Sequence, residues 1–177
     1  MKRLLLDVNV VLDVVLARAP FAGAAAALWG KAEAGQIAIL LPAHGVTTIY
    51  YLAARERGST FAARVIQDLL VVPAIAAVDG AVLRRALALG WPDFEDAVCA
   101  AAAEAAQCDL LVTRDPRGYR HSPVVAVDAP TALALITDGS APGHVREGGG
   151  RHRRTAAALA SRARRGENPG SRSRRSE

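Results

Sequence analysis

Along the first 137 residues, short apolar runs alternate with longer segments in which apolar and polar residues recur with helical spacing. The short runs are apolar throughout, which is typical of strands that are buried on both faces. We predict strands at Arg3–Leu6, Ile37–Leu41, Val71–Ile75, Leu110–Thr113 and Val124–Val127. Strands that alternate with helices favour an α/β fold, in which helices cover both faces of a parallel sheet.

Helical segments are predicted between and after these strands, from apolar spacing and from residues that begin or end helices. We place them at Val10–Leu16, Phe21–Ala34, Thr47–Arg57, Ser59–Leu70, Asp79–Leu89, Asp93–Gln107 and Pro130–Ile136. Polar residues suited to the N-cap position are Asn9, Ser59, Asp79 and Asp93. Pro42 and Gly45 predict a turn before the third helix.

Charge divides the chain into two parts. Residues 1–137 carry 12 basic and 13 acidic residues, whereas residues 138–177 carry 10 arginines and four acids. The second part also has seven glycines and few apolar residues, so it cannot bury enough surface to offset its chain entropy. We therefore predict a globular domain over 1–137 and a disordered basic tail over 138–177, with a short helix at Thr155–Arg164. The tail is interpreted either as an arm that binds nucleic acid through phosphates or as a read-through segment without function.

Several classes of protein are excluded by composition. Two cysteines, Cys99 and Cys108, are too few for a disulfide scaffold, and the four histidines lack the spacing of a zinc enzyme. No uncharged apolar run is long enough to span a membrane. Asp7 and Asp13 interrupt the apolar N-terminus, unlike in a signal peptide. We therefore expect a cytoplasmic protein with reduced thiols.

Acidic residues stand where an α/β sheet binds its ligands. Asp7 ends the first predicted strand, Asp115 follows the fourth, and Asp93, Glu95 and Asp96 lie together at the start of a helix. Ligands of open parallel sheets bind outside the carboxyl ends of the strands. If the first and fourth strands are neighbours, these carboxylates converge and repel one another. A hard divalent cation such as Mg²⁺ or Mn²⁺ relieves that repulsion and organises phosphodiester hydrolysis.

Each acid also has a structural interpretation. Asp93 stands at an N-cap position, and Asp96 in a first helical turn interacts favourably with the helix dipole. Asp115 begins an Asp-Pro-Arg-Gly tetrad, in which aspartate commonly forms a turn. Asp7 is harder to explain structurally, because it directly ends an apolar strand. The joint occurrence of these acids favours a functional site.

Two segments of the chain resemble a known family. The opening LLLDVNVVLDVVL and the central DFEDAVCAAAAEAAQCDLLVTRDPRGY are similar to PIN-domain ribonucleases, and in particular to the VapC-type toxins of bacterial toxin–antitoxin pairs. The resemblance covers residues 2 to about 136. It implies a three-layer α/β/α sandwich with a parallel sheet of four or five strands, and an endoribonuclease that depends on Mg²⁺ or Mn²⁺.

The resemblance also assigns residues to the site. The family's metal-binding and catalytic acids match Asp7, Asp96 and Asp115, while its supporting polar residues match Asn9 and Thr113. The implied partners are an RNA substrate, a cognate antitoxin protein and a second copy of the chain.

One position departs from the family pattern. The family places a glutamate early in the helix after the second strand, where this chain has Thr48. We expect Asp93 to supply the missing carboxylate, because it lies one turn before Asp96 on one helix face. Glu95 is expected to point elsewhere on that helix. Loss of the early glutamate leaves open a PIN-like module that binds RNA or protein but has weak or no catalytic activity.

Two other enzyme and signalling classes share an apolar strand that ends in aspartate. A haloacid-dehalogenase-like phosphatase needs a second acid at position nine, where this chain has Asn9. A receiver domain needs a phosphoacceptor aspartate after the third strand and a late lysine, and the chain has neither. Both classes are therefore disfavoured.

Overall fold

A computed structural model describes residues 1–137 of the chain. The tail predicted over 138–177, its predicted disorder and the helix expected at Thr155–Arg164 lie outside the described residues.

One parallel sheet forms the centre of the fold in residues 1–137. Its strands are β1 (Arg3–Leu6), β2 (Ala38–Pro42), β3 (Ala74–Ala76), β4 (Leu110–Val112) and β5 (Ala126–Val127). Their order is β3-β2-β1-β4-β5, and every neighbouring pair is parallel. The first and fourth strands are therefore neighbours at the middle of the sheet, as the convergence of the acids requires.

Helices cover both faces of this sheet. They are α1 (Val8–Val15), α2 (Ala22–Glu33), α3 (Ala43–Arg57), α4 (Ser59–Leu69), α5 (Gly80–Leu89), α6 (Phe94–Ala105) and α7 (Ala129–Thr137). Leu4 and Leu6 of β1 pack into one apolar core with α1, α2 and α7, whereas Leu5 packs into a second core with α5 and α6. This alternation, which follows from the period of two in a strand, produces the expected α/β/α sandwich.

Some element boundaries differ from the sequence predictions. The expected turn at Pro42 and Gly45 is wrong, because Pro42 is the N-cap of α3 and the helix begins at Ala43. Gly45 permits this path: a Cβ atom built on it would lie 2.8 Å from Val8 Cγ2. The third strand lies at Ala74–Ala76, so it begins three residues later and ends one residue later than the predicted Val71–Ile75.

Two of the four predicted caps are also wrong. Asn9 is an exposed residue inside α1, whose N-cap is Asp7. Gly58, with a positive φ of 85°, takes the N-cap position that was expected of Ser59. The Asp79 and Asp93 caps are confirmed, because the Asp79 side chain accepts two backbone N–H hydrogen bonds in the first turn of its helix and the Asp93 side chain accepts one.

Among residues 1–137, no helix has the length and apolar character that crossing a bilayer requires.

Candidate active site

Three aspartates lie at the carboxyl end of the two central strands. Asp7 directly follows β1, and its backbone N–H donates a hydrogen bond to the Val112 carbonyl at the end of β4, at 2.9 Å. Asp115 follows β4 by three residues, and Asp96 lies in the first turn of α6. The parallel pairing of β1 with β4 therefore brings residues from distant parts of the sequence to one end of the sheet.

The buried Thr113 side chain links two of these aspartates. Its hydroxyl donates a hydrogen bond to Asp7 Oδ2 at 3.1 Å and accepts one from the Asp115 N–H at 3.2 Å. Thr113 is only 2% exposed, so a hydroxyl without these partners would be costly there. Thr113 thus fixes the Asp7 carboxylate relative to the loop that carries Asp115.

Asp96 and Asp115 border one space beside Gly118. A Cβ atom built on Gly118 would lie 3.4 Å from Asp115 Oδ2 and 3.6 Å from Asp96 Oδ2. The turn predicted for Asp115 is present, because the Gly118 N–H donates to the Asp115 carbonyl at 3.2 Å. The Arg117 N–H holds the other carboxylate oxygen, Asp115 Oδ1, at 3.2 Å. Asp115 therefore both forms the turn and contributes a carboxylate oxygen to the candidate site.

Tyr119 orients the Asp96 side chain. The Tyr119 hydroxyl donates a hydrogen bond to Asp96 Oδ1 at 2.7 Å, and the tyrosine ring packs against Trp91 with centroids 5.7 Å apart. Oδ2 of Asp96 is the oxygen that faces Gly118. Tyr119 could not be identified from the sequence, because no local pattern indicates which tyrosine reaches a carboxylate 23 residues away.

Burial makes the negative charge of this site unfavourable. Asp7 is 9% exposed, and its burial raises its pKa to about 6; the hydrogen bond from Thr113 opposes this rise, and the Asp96 charge adds to it. The pKa of Asp96 is also raised, mainly by burial and further by the charges of Asp93 and Asp115, although the Tyr119 hydrogen bond lowers it. A bound cation would relieve both effects.

The donor set fits a hard divalent cation that keeps much of its water. All of the candidate ligands are carboxylate oxygens, which suit Mg²⁺ or Mn²⁺ better than Zn²⁺. Within the described residues, no group of three or more His, Cys, Asp or Glu side chains is arranged so that it could hold a metal ion. Mg²⁺ does not require one, because it commonly binds through one or two carboxylates together with substrate phosphates.

Asp93, Asn9 and Thr48 are the other residues that the sequence predicts for the site. Asp93 is exposed, and its Oδ1 accepts a hydrogen bond from the Asp96 N–H at 3.1 Å, so its side chain caps α6. Asn9 is exposed on α1, and Thr48 is half-buried on α3. Neither side chain has a hydrogen bond to the three aspartates among the described residues.

The exposed Glu95 side chain has no hydrogen bond to the three aspartates among the described residues, but its charge contributes to the electrostatics of the site. Burial is the main cause of the raised pKa of Asp7 and of the lowered pKa of His44. The Glu95 carboxylate contributes an upward shift to the pKa of both residues. The Glu95 charge therefore affects pKa values at the end of β1 and at the start of α3.

His44 borders the same region from α3. Its Nε2 lies 3.9 Å from Cys99 Sγ on α6, and its buried Nδ1 has no hydrogen-bond partner in residues 1–137. Burial lowers the pKa of His44, which favours the neutral imidazole. Cys99 and Cys108 are both buried and free.

Comparison with known proteins gives a family match and several similar folds. The family model described as PIN domain matches residues 3–117. No curated protein sequence matches the chain.

Three solved structures share the fold. VapBC2 from Rickettsia felis, bound to a DNA fragment from its promoter, has a TM-score of 0.57 and 12% identity, covering 72% of this chain and 98% of that chain. FitAB bound to an IR36 DNA fragment has a TM-score of 0.58 and 18% identity, with 71% and 94% covered. Mycobacterium tuberculosis VapC20, a toxin that cleaves the sarcin-ricin loop, has a TM-score of 0.53 and 16% identity, with 74% and 94% covered.

Proposed function

The chain belongs to the PIN-domain family, and from that premise we propose that it is a divalent-metal-dependent endoribonuclease that hydrolyses RNA phosphodiester bonds. The observation that carries the proposal is the pair of carboxylate oxygens, Asp96 Oδ2 and Asp115 Oδ2, within 4 Å of one point beside Gly118. Asp7 is tied to the same end of the sheet through Thr113.

Asp7, Asp96 and Asp115 are the residues that would hold the cation. When bound, such a cation supplies Lewis acidity that stabilises the charge developing on the phosphate. The protein contributes the orientation of the acids: Thr113 holds Asp7 Oδ2, and Tyr119 holds Asp96 Oδ1. The carboxylates of Asp7 and Asp96 are the groups placed to accept the proton of the attacking water.

Few groups of the protein can supply the positive charge that binding RNA phosphates requires. Residues 1–137 carry a small excess of acids, so phosphate binding must rely on the cation and on local arginines such as Arg114 and Arg117. The ten arginines of residues 138–177 offer a second source. Both interpretations of the tail, a nucleic-acid arm and a segment without function, stay predictions.

We further propose that the protein is the toxin of a toxin–antitoxin pair and acts in the cytoplasm. The resemblance to VapC-type toxins supports this, as do the folds shared with VapBC2 and with the toxin VapC20. Tyr50 and Tyr51 on α3 are 40% and 62% exposed and offer an apolar surface for an antitoxin or for a second copy of the chain. Co-purification with the product of the neighbouring reading frame tests the antitoxin proposal.

The cleavage proposal is tested with purified protein and a labelled single-stranded RNA. We expect cleavage with Mg²⁺ or Mn²⁺ and none with a chelator. If RNA is bound but not cleaved with either ion, the protein is instead a catalytically inactive PIN-like module.

Substitution of Asp93 tests whether it is the fourth acidic residue of the site. In the proposal Asp93 stands in for the missing glutamate at Thr48, so Asp93→Asn should weaken Mn²⁺ binding although asparagine caps a helix as well as aspartate does. Glu95→Gln is the matched comparison, because it removes a neighbouring charge that acts on Asp7. Calorimetric titration of both variants measures the effect. Unchanged binding in Asp93→Asn together with weakened binding in Glu95→Gln would assign the role to Glu95.

A further inference from the structure

A buried aspartate on α1 has no role in the mechanism described above. Asp13 is 1% exposed, and its Oδ1 has no hydrogen-bond partner in residues 1–137. Its nearest cation is Arg114, whose NH1 lies 3.6 Å from that oxygen. This distance allows electrostatic attraction but is too long for a hydrogen bond. This ion pair is a poor source of stability, because the buried Asp13 loses its hydration and gains no hydrogen bond from Arg114 in return.

The Arg114 guanidinium is held on a second side by an aromatic ring. Its Cζ lies 3.9 Å from the centroid of Phe21, the residue just before α2. The Arg114 side chain nevertheless remains 36% exposed, and none of its N–H groups makes a hydrogen bond within the described part of the chain. Asp13 and Phe21 therefore fix the position of a guanidinium whose donors are still available.

The backbone of Arg114 lies at the site, because its two neighbours in the chain belong to the site. Arg114 lies between Thr113, which binds Asp7, and Asp115, which borders the space beside Gly118. A guanidinium presents a planar set of donors that matches two phosphate oxygens. Holding it in place beforehand reduces the entropy lost when a phosphate binds.

We propose that Arg114 binds a phosphate of single-stranded RNA beside the scissile bond, and that Asp13 and Phe21 are positioning residues for it. The inference rests on the proposed ribonuclease function. It explains why one oxygen of the buried Asp13 carboxylate lacks a hydrogen bond: the role of this carboxylate is to orient a cation that bonds elsewhere.

RNA affinity is measured with a fluorescein-labelled single-stranded RNA, in an Asp96→Asn background that prevents cleavage, over a range of salt concentrations. We expect Arg114→Ala to weaken binding at least about tenfold, as for loss of a charge-assisted hydrogen bond. The log–log salt slope should become shallower by about 0.7, the value for one phosphate contact on a single strand. Arg114→Lys should keep the salt slope and lose part of the affinity, because it keeps the charge without the planar donors.

Arg64→Ala is the matched control, because it removes an exposed arginine from α4 instead of from the loop after β4. It should change neither affinity nor slope. If Arg114→Ala fails to fold because Asp13 is left unpaired, the double variant Asp13→Asn/Arg114→Ala removes that charge and gives the same readout.

The positioning role of Phe21 has its own readout. Phe21→Leu should weaken RNA binding without changing the salt slope, and Phe21→Tyr should restore it, because only an aromatic ring holds the guanidinium through its π face. If the background protein binds RNA and Arg114→Ala leaves affinity and slope unchanged, Arg114 only neutralises Asp13 and the inference is wrong. If the wild-type protein neither binds nor cleaves RNA in the presence of Mg²⁺, the proposed function fails, and the inference fails with it.

Discussion

Replacing Asp96 with asparagine is expected to lower the rate of metal-dependent RNA cleavage at least about a thousandfold, with the fold retained. The Tyr119 hydroxyl can still donate to the amide oxygen in place of Asp96 Oδ1, so the side chain keeps its orientation. The oxygen facing Gly118 is then replaced by an uncharged amide nitrogen, which cannot bind a cation. Single-turnover cleavage of a labelled RNA in Mn²⁺ measures the loss, and circular dichroism checks the fold.

Asp109→Asn is the matched control for this substitution. Asp109 is exposed just before β4, and its Oδ2 accepts a hydrogen bond from the Arg3 N–H at 2.7 Å, so it lies at the opposite end of the same two strands. The control should cleave RNA at the wild-type rate. Wild-type cleavage by Asp96→Asn would show instead that Asp96 serves only as a residue of the first helical turn.

Replacing Asp7 with asparagine is expected to increase the free energy of unfolding by about 3 kcal/mol at pH 7 in the presence of a chelator. The ionised carboxylate is unfavourable in the folded state, where its burial raises the pKa from 3.8 to about 6. Thr113 can donate to the amide oxygen as it donates to the carboxylate, so the variant should keep that hydrogen bond. Denaturant unfolding of both proteins at several pH values measures the difference.

The difference in the free energy of unfolding between Asp7→Asn and the wild-type protein should increase with pH. Asp7 binds its proton more tightly in the folded state than in the unfolded state, so ionisation destabilises the fold as the pH rises from about 4 to about 6. The advantage of Asp7→Asn should be fully present above pH 6 and disappear near pH 4. Adding Mn²⁺ should reduce it at pH 7, because the ion stabilises only the ionised form. Equal stability of the two proteins at pH 7 without metal would contradict the account.

The sheet and the placement of Asp7 and Asp115 at the same end of it could be predicted from the sequence. Apolar runs identify buried strands, and acids that follow such strands meet wherever the strands are neighbours in a parallel sheet. The pairing of β1 with β4 fulfils that condition. The start of α3 could not be predicted, because it depends on how closely Gly45 approaches Val8, and this approach is a tertiary contact.

The contacts that other side chains make around the aspartates could not be predicted from sequence patterns. Tyr119, Glu95 and the Asp13–Arg114 pair act across 20 or more residues or between different helices and loops. Such contacts depend on side-chain direction and on the packing of α1 and α6, which neither spacing nor composition specifies. In the sequence, Asp13 is a polar residue that interrupts an apolar segment. Its burial is evident only from the fold.

A calorimetric titration with Mn²⁺ tests most directly the claim that these aspartates form one metal site. The account predicts that wild-type protein and the Asp109→Asn control bind one ion with the same affinity. Asp115→Asn should bind it at least about tenfold more weakly, because it removes a carboxylate oxygen beside Gly118. Equal binding by all three proteins would place the ion elsewhere and contradict the account.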